Sequence, residues 1–164
     1  MANVFDLAQG NEHVVCESSR LKATTAGHIY DLKCHKALEN GTIVSVGAPV
    51  EGEVQVFNSK DYAAGDVACL VLTPPFAYNG NKYQSEEKFF YNAVGEVARA
   101  YELHVGDIYT ISANGLTGSP KVGAHVDATN KASTSAAASG FDGEIIEEVV
   151  YKNGTSYRVL VRSL

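Results

Sequence analysis

The chain reads as all-β, mainly strands with little helix. The expected architecture is a β-barrel or β-sandwich with an N-terminal arm and one or two long loops. Three observations carry this expectation. Short runs rich in β-branched and aromatic residues, about ten of them, recur along the chain. The composition holds 15 glycines against 4 prolines, which suits a turn-rich β protein. One turn grammar occurs three times, as Leu38-Glu39-Asn40-Gly41-Thr42-Ile43, Tyr62-Ala63-Ala64-Gly65-Asp66-Val67 and Leu103-His104-Val105-Gly106-Asp107-Ile108. In each, an apolar residue and two spacers precede a glycine able to take φ > 0. A polar and then a β-branched residue follow and launch a strand.

The 164 residues form one domain, with 45 % hydrophobic and 20 % charged residues, so a sizeable core is expected. We divide the chain into an arm, 1–12, and a single β-rich domain, 13–164. The net charge is −6 and no cluster of Lys or Arg occurs, which disfavours nucleic acid and anionic membrane as partners. No apolar run of about 18 residues suggests a membrane helix. Met1–Asp6 lacks a basic and an apolar segment, so it does not read as a signal peptide, and synthesis in a host cytoplasm is expected. Cys16, Cys34 and Cys69 are odd in number and widely spaced, a poor disulfide framework.

In chain order, the arm carries Val4, Phe5 and Leu7 before Gln9-Gly10-Asn11 interrupts it. It is either a frayed terminus or a segment that docks on a partner through these apolar residues. His13–Cys16, Leu21–Thr24 and Ile29–Lys33 are short strand candidates, and Lys36–Glu39 suits one helical turn. Thr42–Val46 is a strand ended by Gly47-Ala48-Pro49. Glu53–Phe57 alternates polar and apolar residues, as a half-buried strand does. Val67–Leu72 is almost wholly apolar, so it is placed at the centre of the core. Thr73–Asn81 is a loop, because Pro74 and Pro75 cannot donate to a ladder. Phe76 and Tyr78 on that stiffened loop either offer a contact surface or fold back over the core edge.

Ser85–Val94 has a plausible helix cap, but Phe89-Phe90-Tyr91 favours strand. Val97, Arg99, Tyr101 and Leu103 share one face if 95–103 is a strand, the reading preferred here. Asn114-Gly115 is a turn and Lys121–Val126 a short strand. Lys131–Gly140 is of low complexity and has no large side chain to bury, so it reads as an exposed loop. Two β-rich runs, 143–151 and 156–162, flank Asn153-Gly154 and form the strongest hairpin signal.

Chemistry is harder to find. No hydrolase elbow, phosphate loop or dinucleotide fingerprint occurs. His13, Cys16, Cys34 and His35 are the best zinc candidates, but adjacent Cys34 and His35 on a strand leave by opposite faces. Buried thiols and surface histidines explain them better. Asp107, Asp127 and Asp142 lack the spacing of a calcium loop, and Asp66 and Asp107 suit turn capping. Glu96 with Glu102, or Glu144 with Glu147 and Glu148, are more simply charged strand faces than acid–base pairs. The expectation is therefore a non-enzymatic protein with no cofactor and no metal.

The block Phe89–Ser112, through Gly95, Arg99, Tyr101, Leu103 and Gly106-Asp107, resembles capsid decoration and head-stabilising (cement) proteins of tailed bacteriophages. Those small acidic β-rich chains also tend to begin with a short arm. The resemblance covers about a third of the chain and carries over no catalytic residues. It implies a virion protein on the outer capsid surface that clamps neighbouring coat subunits. Its expected partner is the major capsid protein, and it self-associates as a trimer or other small oligomer. The contact residues would be Val4, Phe5, Leu7, Pro74, Pro75, Phe76 and Tyr78. Rival readings are a tail or head-fibre module, and a β-barrel enzyme or small-ligand binder.

Overall fold

The computed structural model describes residues 12–75, 86–151 and 154–164. It is mainly β, with 48 % strand against 7 % helix, as the turn-rich sequence predicts. Twelve strands are described: β1 (Cys16–Arg20), β2 (Ile29–Lys33), β3 (Ile43–Pro49), β4 (Val56–Asp61), β5 (Ala68–Val71), β6 (Val97–Glu102), β7 (Ile108–Ser112), β8 (Thr117–Gly118), β9 (His125–Asp127), β10 (Lys131–Ser133), β11 (Asp142–Tyr151) and β12 (Gly154–Ser163). Five close into a barrel in the order β2-β4-β3-β5-β6, and the other seven form a sheet in the order β1-β7-β12-β11-β9-β10-β8. Pairing is antiparallel except between β2 and β4 and between β8 and β10.

Two cores follow from the alternation of side chains along strands. Leu32, Val44, Cys69, Val71, Ala98 and Ala100 fill the barrel. Ile43, Leu70, Tyr109, Ile111, Phe141 and Val159 belong to the core beneath the sheet. β5 divides its four residues between them: Ala68 and Leu70 face the sheet core, Cys69 and Val71 the barrel. That explains its unbroken apolar run, since both faces of the strand are buried. On β6, Val97 and Arg99 are exposed, while Tyr101 reaches the sheet core, as does Leu103 just beyond the strand.

The three repeated turns adopt one geometry. Gly41, Gly65 and Gly106 have φ of +89°, +93° and +96°. In each turn the N–H of the next residue donates back three residues: Thr42 to Glu39, Asp66 to Ala63, Asp107 to His104. This is the type II pattern, which needs glycine at its third position. The same bond closes Val50–Glu53, Ala93–Glu96 and Lys121–Ala124 around Gly52, Gly95 and Gly123, each with positive φ.

Several expectations are corrected. Leu21–Thr24 is not a strand; residues Ala23–Ala26 form a single helical turn, α1. The hydroxyls of Thr24 and Thr25 donate to the carbonyls of Leu21 and Lys22, closing the chain locally. Lys36–Glu39 is not helical, because Leu38 exchanges both backbone bonds with Asn92 as an isolated bridge. That bridge, with a 3₁₀ turn at Glu87–Phe89, replaces the strand expected in 85–94. β3 does not stop at Gly47: a bulge between Val46 and Pro49 carries it on, and a Cβ at Gly47 would lie 2.7 Å from the Asn58 carbonyl oxygen. The Glu53–Phe57 strand begins only at Val56. Gly52 turns the chain before it, leaving Val54 93 % exposed.

Strand structure in 121–126 starts at His125, after the Gly123 turn. The 131–140 loop opens with β10, because Asp127 organises the turn before it. Its carboxylate accepts from the Thr129 amide and hydroxyl and from the Lys131 amide, and Asn130 takes φ of +59°. The hairpin of β11 and β12 forms as expected, in register from Asp142↔Ser163 to Tyr151↔Gly154, with two bulges.

Candidate functional site

A cleft of about 320 Å³ lies beside β1. Its lining includes the consecutive run Val14, Val15, Cys16, Glu17 and Ser18 and a second run, Leu72, Thr73, Pro74 and Pro75. Among the described residues, Asn40, Glu87 and Tyr101 also line it. Of the contact residues expected from sequence, the cleft therefore includes Pro74 and Pro75. Val4, Phe5, Leu7, Phe76 and Tyr78 lie outside the described residues.

Buried amides hold the proline wall in place. The Asn40 side chain donates to the Thr73 carbonyl at 2.9 Å and accepts from the Thr73 amide at 3.0 Å. The same Asn40 oxygen accepts from Asn92, whose side chain also donates to the Leu38 carbonyl. The first repeated turn thus anchors the strand leaving β5 and the segment before β6. The root of β1 is pinned as firmly. The His13 ring lies 2.6 Å from a Glu39 carboxylate oxygen and stacks on Tyr91, while the other oxygen accepts from the Val14 amide at 3.1 Å. Asn114 donates to the carbonyls of Glu12 and His13.

The titratable groups singled out from sequence are distributed rather than gathered. Cys16 lies in the sheet core and Cys34 in the barrel core. Burial pushes the Cys34 thiol up to about 11, Cys69 up to about 12, and Cys16 higher still. His35 sits against Ser59 and Asp61. Among the described residues no group of three His, Cys, Asp or Glu side chains is placed to hold a metal ion. Asp107 accepts from the amides of Lys22 and His104, Asp127 holds its turn, and Asp142 accepts from the Ala137 amide and pairs with His125 at 2.9 Å. Among the described residues the Asp66 carboxylate pairs with Lys60 rather than accepting from a turn amide as expected. Glu144 and Glu147 pair across the hairpin with Arg162 and Arg158.

Sequence reasoning missed the cleft itself. Its walls come from segments about 60 residues apart in the chain, and only the two prolines carried a local signal. We compared the chain with protein-family models, with curated proteins and with solved structures, and none matches.

Proposed function

We propose that the chain is a non-enzymatic structural protein of a phage virion. In this reading it binds the outer capsid surface and stabilises contacts between coat subunits, with the major capsid protein as partner. The observation that supports it most is where apolar residues are displayed. Val94, Val105 and Val122 each occupy the second position of a glycine turn and are 68 %, 65 % and 57 % exposed. Rigid turns that present branched apolar side chains suit docking on another protein. The carboxylates and histidines named above, by contrast, tie the fold together.

The ligand-binder alternative fits less well. The barrel interior is occupied by its own side chains, Leu32, Val44, Cys69, Val71, Ala98 and Ala100 among them, which is not how a barrel holds a small molecule.

Electron microscopy of particles that co-purify with the protein tests the proposal. Added density over the outer coat lattice is expected. Density confined to the tail or to fibres assigns the protein there instead. A chain found solely in the soluble fraction, with no particle, removes the proposal.

A further inference from the structure

β11 outruns its neighbour. β9 pairs with it only over Asp142–Glu144, and Gly123 and Ala124 add one further step by bonding the backbone of Ile145. A bulge between Ile145 and Glu147 follows. From Glu147 to Tyr151 the strand is paired with β12 alone among the described residues. The hairpin closes on Tyr151 and Gly154, a pair that exchanges both backbone bonds. Alternation then points the amides and carbonyls of Val149 and Glu147 at β12, and those of Glu148 and Val150 away from it. The outward side is bare. Val150 is 86 % exposed, more than a residue flanked by strands on both sides retains, and Glu147 and Glu148 are exposed as well. Neither lysine nor proline, the usual guards of a free edge, occurs in 146–151. β8, at one end of the same sheet, is by contrast two residues long with Pro120 just beyond it.

We propose that this edge pairs with itself: β11 of a second copy lies antiparallel along it, with the twofold axis at Val149. The occupant follows from how the edge complements itself. About that axis Glu148 faces Val150 of the other copy and Val150 faces Glu148, so every outward backbone group over 148–150 is bonded, about four hydrogen bonds in all. Each Glu148 thus meets an apolar residue. A shift that set Glu148 against its own copy would oppose two carboxylates, which is destabilising. Glu147 adds little repulsion, since its carboxylate pairs with Arg158 of its own hairpin. At the axis the two Val149 residues form a non-hydrogen-bonded pair, the kind in which side chains approach closest. Length fits as well: the free stretch, Glu147–Tyr151, is just covered by the same stretch running the other way. The contact is isologous, so it closes as a dimer. It buries well under the ~1,600 Å² of a standard interface, so the dimer dissociates on dilution. The pairing needs no coat protein and does not rest on the virion reading.

Sedimentation equilibrium of the purified full chain should show a monomer–dimer equilibrium. Val150→Pro removes an outward amide and none that bonds β12, so it should lose the dimer with the circular dichroism spectrum unchanged. Val150→Glu sets a second carboxylate opposite Glu148 of the other copy and leaves the hairpin backbone whole. It should lose the dimer too, and it decides the matter if proline disturbs the fold. Disulfide trapping locates the axis. Cα atoms in a non-hydrogen-bonded pair lie about 4.5 Å apart, within disulfide reach. Val149→Cys should therefore link two copies under mild oxidation, whereas Val150→Cys, two residues out of step with its own copy, should link far more slowly. The native thiols are buried and stay out of the reaction. A full chain that is monomeric at the highest concentration reached overturns the proposal. So does a Val150→Glu variant that dimerises as the parent does, or cross-linking that favours position 150 over 149. All of this uses the purified protein alone, so failure here leaves capsid binding to be judged separately by microscopy.

Discussion

Asp107 is 4 % exposed, and its two carboxylate oxygens accept from the amides of Lys22 and His104. Replacing it with alanine strands two backbone donors in a closed site, a loss of about 2–4 kcal/mol. Urea unfolding reads this directly, and a loss within experimental error would mean that water replaces the carboxylate. The glycine turns allow a graded comparison. A Cβ at Gly65 or Gly106 meets nothing within 4 Å, so Gly65→Ala and Gly106→Ala carry only backbone strain, about 1–2 kcal/mol each. At Gly41 the Cβ also lies 2.7 Å from Ile111 Cδ1, in the sheet core, so Gly41→Ala should cost more than either. Equal costs at the three sites would show that the core yields freely there. Tyr109 is fully buried and its hydroxyl has no hydrogen-bond partner among the described residues. Tyr109→Phe should therefore keep or raise the unfolding midpoint. A clear drop would expose a hydrogen bond to that hydroxyl.

At the scale of elements, legibility followed burial on two faces and the chemistry of turns. The hairpin of β11 and β12 was readable because long β-rich runs flank Asn153-Gly154. β5 was readable because a strand between two cores must be apolar throughout. The repeated turns were readable because φ > 0 at their third position admits little but glycine. What stayed hidden depends on tertiary partners. Alternation in 53–57 looked like a half-buried strand, yet Val54 has nothing to pack against. The 131–133 segment becomes a strand because Asp127 gathers the turn and Ala132 is buried, neither of which the composition of 131–140 reveals. The barrel interior gives the test at this scale. Ala98 and Ala100 of β6 are fully buried among Leu32, Val44 and Val71, so Ala100→Leu should overpack the barrel by about 1–3 kcal/mol. Val97→Leu, on the exposed face of the same strand, should change stability by no more than about 0.5 kcal/mol. Tolerance of leucine at position 100 would indicate a loosely filled barrel.

For the whole molecule, the distribution of charge sets the response to acid. Net charge is −6 near neutrality, and many carboxylates serve as acceptors that hold turns and strands. Two of them titrate low. Hydrogen bonding from Lys36 lowers Asp61, with His35 adding to it. For Asp127 burial works upward, but bonds from Thr129 and Lys131 outweigh it and the net shift is downward. A carboxylate held below its unfolded value of about 3.9 stabilises the fold above that pH. That contribution fades as the pH falls through the folded value, since protonation removes the acceptor. The unfolding midpoint should thus be flat from about pH 6 to 5 and drop below about pH 4. Asp127→Asn should lower stability at pH 6 and flatten the acid slope, because the titrating acceptor is gone. Thermal melts of both proteins between these limits check the sign. An unchanged slope in the variant would mean that Asp127 titrates alike in the folded and unfolded chains, and that the β9–β10 turn stands without its charge.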